Sequence, residues 1–119
     1  MLNTYLESVL APPGILSPTR MSETLKVPLS RLAQITRLHR NSLSQHPGSP
    51  AVQDRLGEVA RIISTASDLL DGDDVRAVIW FRHQPLSGFD GETAEELVAG
   101  GHAGAVLRHL AILREGGYA

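Results

Sequence analysis

Leu2, Tyr5, Leu6, Val9 and Leu10 recur at spacings of three and four. That spacing puts them on one stripe of a short amphipathic helix. Ala11-Pro12-Pro13-Gly14 ends it. A helix so short needs a surface to lie on, either the chain's own core or another subunit. Ser17 is a good cap and Pro18 suits a first helical turn, so a second helix is predicted to about Leu25. Pro28 opens a third, with Leu29, Leu32, Ala33 and Thr36 on one face. After a tight Arg37-Leu38-His39 connection comes a short polar helix from Arg40 to Gln45, which Pro47-Gly48 terminates.

Ser49 and Pro50 begin a long helix. Its apolar residues Val52, Leu56, Val59, Ile63, Ala66 and Leu70 step by 4, 3, 4, 3 and 4. Most of this seam reads as core, with a coiled-coil-like dimer contact as the other use of such spacing. Asp71-Gly72-Asp73-Asp74 breaks the helix and starts the next, its carboxylates favourably placed at a positive helix end. Val75, Val78, Ile79 and Trp80 then carry an apolar face toward a Pro/Gly loop. Thr93-x-x-Glu96 is a capping box, in which hydroxyl and carboxylate each satisfy an orphan amide. It starts a short helix ending at Gly100-Gly101, and a last helix carries Val106, Leu107, Leu110 and Leu113 on one face. The pattern predicts an all-α fold of about seven short helices. A helix-turn-helix-like N-terminal half is joined by the long helix to a compact C-terminal half.

At 119 residues the chain is one domain, or two small units sharing a core. That size buries a hydrophobic core without staples. The absence of cysteine excludes disulfides, iron–sulfur clusters and thiolate zinc sites. The N-terminus lacks the basic start of a secretory signal, and Glu7 interrupts its apolar residues. No apolar run approaches the roughly twenty residues that span a bilayer. A soluble cytoplasmic protein is the expectation. The net charge of −2 hides an asymmetry. Residues 17–61 hold seven Lys/Arg against three acids, or +4, while 62–119 hold four arginines against nine acids, or −5. The two parts either serve different partners or carry ordinary surface charge.

Catalytic chemistry is not visible. The chain has no Gly-rich phosphate loop, nucleophile elbow or Cys/His pair, so no enzyme, metal or cofactor is expected. His102 and His109 lie seven apart on one helix. That is too long for a metal pair, and both are expected to be solvated. His39 and His46 flank the short polar helix, in capping or surface roles. Glu95 and Glu96 are accounted for by the helix dipole and the capping box.

One further pattern lies in the order of parts over residues 78–119. Val78-Ile79-Trp80-Phe81-Arg82-His83-Gln84-Pro85 leads through Gly88-Phe89-Asp90 to Gly91-Glu92-Thr93-Ala94-Glu95-Glu96-Leu97. Gly101-His102-Ala103-Gly104-Ala105-Val106-Leu107-Arg108-His109-Leu110 follows, and then Glu115-Gly116-Gly117-Tyr118-Ala119. This order resembles the toxin-binding domain of the Xre/MbcA/ParS antitoxins. There a tryptophan-containing helix leads through a Pro/Gly loop to a G-x-T-x-x-E-L helix start. A G-x-x-x-x-V-L-x-x-L helix then runs into a Gly-Tyr-Ala-like end. Ala94 departs from it, standing where many relatives place a proline, and alanine suits a helix there too.

The middle of the chain resembles the Xre-type helix-turn-helix more loosely. Ser30-Arg31-Leu32-Ala33-Gln34 stands at the Thr/Ser…Leu-Ala element, Leu38 at the buried turn residue and Leu43 at the inward residue of the recognition helix. Arg37 replaces the usual turn glycine, which forces a different turn or costs strain. A recognition helix needs polar side chains for base edges and arginines for phosphate. Arg37, Arg40, Asn41, Ser42 and Gln45 supply those types, either for DNA contact or on a degenerate motif kept as scaffold.

The resemblance implies three segments: an N-terminal helix or arm (1–16), an Xre-like helix-turn-helix region with the long helix (17–70) and a toxin-binding domain (71–119). It implies an antitoxin of a type II toxin–antitoxin pair, a homodimer within a larger complex, able to bind its own promoter. The partner it implies is an RES-domain toxin, of a family that uses NAD as substrate by consuming it or transferring ADP-ribose. Trp80, Phe89, Leu110, Arg114, Gly116, Gly117, Tyr118 and Ala119 are the implied toxin contacts, the last residues filling the NAD-binding cleft. The Tyr118 ring would stack in that cleft and the Ala119 carboxylate pair with an arginine. The rival reading is a stand-alone helix-turn-helix regulator with a C-terminal dimerisation or effector domain.

Overall fold

A computed structural model describes residues 3–116. Local caps set most of the helix starts. The Asn3 side chain accepts from the Tyr5 and Leu6 amides to begin α1 (Thr4–Val9). Ser17 accepts from Arg20 N–H at the head of α2 (Pro18–Leu25), with the proline in the first turn. Ser49 does the same for Val52 N–H in α5 (Pro50–Leu69), and Asp73 for Arg76 N–H in α6 (Asp74–His83). Both halves of the capping box are formed at α7 (Ala94–Ala99): Glu96 N–H donates to Thr93 Oγ1 at 3.1 Å, and Thr93 N–H to Glu96 Oε1 at 2.9 Å. With α3 (Leu29–Thr36), α4 (Arg40–Gln45) and α8 (Ala103–Arg114), the described residues form eight helices.

The fold is largely helical but not wholly so. A hairpin of β1 (Leu10–Ala11) and β2 (Ile15–Leu16) follows α1, pairing Leu10 with Leu16 and Ala11 with Ile15 in antiparallel fashion. A side chain from α5 explains its place. Gln53 accepts from Leu16 N–H at 2.9 Å and donates to Leu16 O and Pro47 O, each at 2.8 Å. One amide therefore ties the hairpin and the α4–α5 connection to the long helix.

Helix α5 is the central strut, packed by α1, α3, α6 and α8. Val52, Leu56, Val59, Ile63 and Ala66 are all buried, joined by Ala60 and Ile62. The seam is core over this length, and Leu70 at its end is half-buried. Tyr5 and Val9 bury the α1 stripe in the same cluster, so α1 lies on the chain's own core. Of the two uses open to these stripes, core or subunit contact, the buried residues of both serve the core. The buried residues run in one cluster from Tyr5 to Leu110. The radius of gyration, 13.6 Å, matches the roughly 13.5 Å of a single domain of this length.

Helix α6 turns a different face inward from the one expected. Ala77 and Phe81 are fully buried, Val78 and Trp80 are half-buried, and Val75 and Ile79 are 70% and 54% exposed. Burying the large Phe81 ring gains more than burying Val75. Ala77, one turn earlier, lets the helix approach α5 closely. Valine and isoleucine are left on the outside.

Candidate functional site

The loop between α6 and α7 is shaped by its own backbone. Gly88, Asp90 and Gly91 all have positive φ, at 83°, 53° and 79°. Leu86 N–H donates to Glu92 O at 2.9 Å, Glu92 N–H to Phe89 O at 2.9 Å, and Phe89 N–H to Leu86 O at 3.3 Å. Pro85 and Thr93 form a bridge across the base of the loop. This arrangement holds Phe89 over α8, where its ring meets His109 edge to face, centroids 5.8 Å apart and planes at 88°. Trp80, Gln84, Pro85, Leu86, Ser87 and His109 line an open cavity of about 410 Å³ beside that contact. His109 is thus buried, contrary to expectation, because it lies between Val106 and Leu110 on the inner side of α8 and the loop folds over it. His102 is exposed as expected.

Glu95 is the hub that joins this unit to the rest. Its side chain is buried, accepting from Arg31 Nη2 of α3 at 2.8 Å and Arg82 Nε of α6 at 2.9 Å. Arg82 also reaches the Leu25 carbonyl at the end of α2. Three helices meet through one carboxylate, and Arg82 extends the link to the end of α2. The dipole and capping box account for Glu96 but not for this.

The implied toxin contacts do not form one surface. Trp80 and Phe89 are half-buried beside the cavity just described. Leu110 is 1% exposed and belongs to the core, so it supports the site from beneath and presents nothing to a partner. That corrects its placement among the contacts: on α8 it follows Val106 by one turn and shares the inward stripe. Arg114 is exposed, 3.8 Å from Asp68 of α5. Gly116 is exposed at φ 88°, a left-handed exit in which its N–H reaches Leu113 O at 3.0 Å. Gly117, Tyr118 and Ala119 lie outside the described residues.

The α3–α4 region presents Arg40, Asn41 and Gln45 outward, with Ser42 half-buried and Leu43 turned into the core. Arg37 has a different employment. It takes the left-handed conformation, φ 61° and ψ 38°, that a glycine would supply, and its N–H caps α3. Its guanidinium lies against α7, with Nη1 3.4 Å from Ala99 O. Gly101 makes room for it: a Cβ there would stand 2.9 Å from Nη1. The arginine therefore sits at the negative C-terminal end of α7, a favourable place for a cation.

Among the described residues, no helix is long and apolar enough to cross a membrane, and no group of three or more His, Asp or Glu is placed to hold a metal ion. No protein-family model, curated protein or solved structure matches the chain.

Proposed function

We propose that the chain is the antitoxin of a type II toxin–antitoxin pair and acts by binding an RES-domain toxin through its C-terminal unit. The observation that supports this best is the order and packing of α6, the α6–α7 loop, α7 and α8. These elements follow the order of the antitoxin resemblance, with the capping box formed and Trp80 and Phe89 grouped beside one open cavity. In this reading the toxin meets the Trp80–Phe89 surface and Arg114, and residues 116–119 extend past α8 into the NAD-binding cleft. The protein supplies no chemistry of its own; it excludes the toxin's substrate by occupancy.

A second role is supported by the outward Arg40, Asn41 and Gln45 of α4, which carry the donor and acceptor types suited to phosphate and base edges. Binding of operator DNA by that helix would let the same protein repress its own promoter. It would also be the whole function if the chain were a stand-alone regulator.

Co-expression with an RES-domain toxin separates the readings. Copurification of a stable complex is expected, weakened at least tenfold by Trp80→Ala with Phe89→Ala and left unchanged by Arg40→Ala. A chain that binds operator DNA but never retains the toxin would be a regulator and not an antitoxin.

A further inference from the structure

Away from the site above, an apolar groove of about 480 Å³ lies between α6, α1 and the end of α2. Leu25 floors it, and Val75, Val78 and Ile79 wall it along α6. The polar groups on its lining are mostly engaged within the protein. Thr24 Oγ1 donates to Met21 O at 2.9 Å, so the proton it shares with Tyr5, also at 2.9 Å, comes from the tyrosine hydroxyl. Ser8 Oγ donates to Tyr5 O at 2.6 Å. Both Asp74 oxygens accept, one from Ser67 and the other from Thr4. Arg82 gives Nε to Glu95 and Nη1 to Leu25 O. The side-chain donors left facing the groove are those of Lys26 and His83, both exposed. The bond from Arg82 to Leu25 O brings these two neighbours to the same end of it.

We propose that the groove binds a free, single-chain aliphatic carboxylate of medium length, its chain along Val75, Val78 and Ile79 and its carboxylate at Lys26 and His83. From Val75 to His83 the helix rises about 12 Å, which suits an extended chain of that class. A cavity of a few hundred Å³, apolar over most of its lining with a few polar groups at fixed places, has the form of a small-molecule site. The chain would leave water together with Val75 and Ile79, two of the most exposed aliphatic side chains of the described residues. The open donors require an acceptor, and an ionised one makes the stronger hydrogen bond to an ammonium. A cationic head is poorly matched: the one acid on the lining, Asp74, already has both oxygens engaged, and it stands at the other end of α6. A protein partner is poorly matched too. A stable interface buries about 1,200 Å² or more, whereas the other exposed large aliphatics, Leu69 and Ile112, do not line the groove. The proposal is independent of the antitoxin reading, because Trp80 and Phe89 do not line the groove either.

The test uses the full chain and decanoate below its micelle concentration. Titration calorimetry should show saturable binding, and methyl NMR shifts should centre on Val75, Val78 and Ile79. Decyltrimethylammonium, with the same chain and the opposite charge, should bind at least tenfold more weakly. Lys26→Asn removes the ammonium, and asparagine suits the left-handed backbone there, φ 58°. It should weaken decanoate binding about tenfold, the loss of one charge-assisted hydrogen bond. Ile79→Asp, which sets a carboxylate in the apolar wall, should weaken it at least as much, with the helical circular-dichroism spectrum unchanged. Ile112→Asp, at an exposed aliphatic position on α8, should leave it as it was. Absence of saturable decanoate binding, equal affinity for the cationic analogue, shifts centred away from α6, or indifference to both Lys26→Asn and Ile79→Asp would each overturn the proposal.

Discussion

Arg82 Nε lies 2.9 Å from Oε1 of Glu95, and that one contact fastens α6 to the start of α7. Arg31 holds the other carboxylate oxygen at 2.8 Å from α3. The carboxylate is buried while both arginines keep a quarter to a third of their side-chain exposure. Removing it leaves two partly solvated cations facing each other across a gap.

Glu95→Ala should therefore destabilise the protein by about 2–4 kcal/mol, somewhat under the value for a fully buried pair because water relieves the arginines. Glu96→Ala, one residue along, removes only the reciprocal half of the capping box and should cost about 1 kcal/mol. Urea unfolding of both variants measures the difference. Equal losses would mean that the Glu95 hub adds nothing beyond a helix-start charge.

Tyr5 should give the protein an alkaline limit. Burial pushes its hydroxyl up to about 12, opposed by the hydrogen bond with Thr24 and reinforced by the Asp74 carboxylate. Because the folded value lies above the unfolded value near 10, the neutral phenol is favoured in the native state. Its contribution is fully present below pH 10 and is lost as pH rises toward 12, at about 1.4 kcal/mol per pH unit. Denaturant titrations at successive pH values should show this loss in the wild type and its absence in Tyr5→Phe. Parallel curves for the two proteins would contradict it.

What could be read from the chain and what could not divide along physical lines. Ser17-Pro18, Ser49-Pro50 and Thr93-x-x-Glu96 act within one helical turn, so a local pattern was enough to place α2, α5 and α7. The α5 seam was legible because a long helix averages its environment over several turns. The facing of α6 was not. Val75, Val78 and Ile79 look like an inward stripe until Phe81 and Ala77 compete for the same space, and that competition is settled by α5. Glu95 was hidden for a similar reason. Its adjacent dipole and capping box gave a sufficient local explanation, while its partners stand 64 and 13 residues away in sequence. His109 is covered by a loop twenty residues earlier, and no spacing along α8 reveals that. The hairpin is anchored to the core by Gln53, 37 residues beyond Leu16.

DNA binding, if it belongs to α4, should respond to Arg40 and spare the other half of the molecule. Arg40→Ala should weaken operator binding and lower the slope of log affinity against log salt by about one, the loss of one phosphate contact. Toxin neutralisation should be unaffected. Arg37→Ala is a different experiment, because it also removes the guanidinium from the α7 carbonyl. A variant that lost toxin binding through Arg40 while keeping DNA binding would contradict the division of surfaces.

Deleting residues 116–119 should separate binding from inhibition. The deletion begins beyond α8, so the helical spectrum, thermal midpoint and operator binding should match the intact chain. The toxin should still be captured through the Trp80–Phe89 surface. Full inhibition by the shortened protein would rule out plugging of the cleft by these residues.

The antitoxin reading itself comes down to NAD turnover. The toxin's consumption of NAD, or its transfer of ADP-ribose, would be followed while the intact chain is titrated in. The account predicts that turnover falls to background near one chain per toxin active site. Undiminished turnover at saturating chain, with the chain shown to be folded, would contradict it.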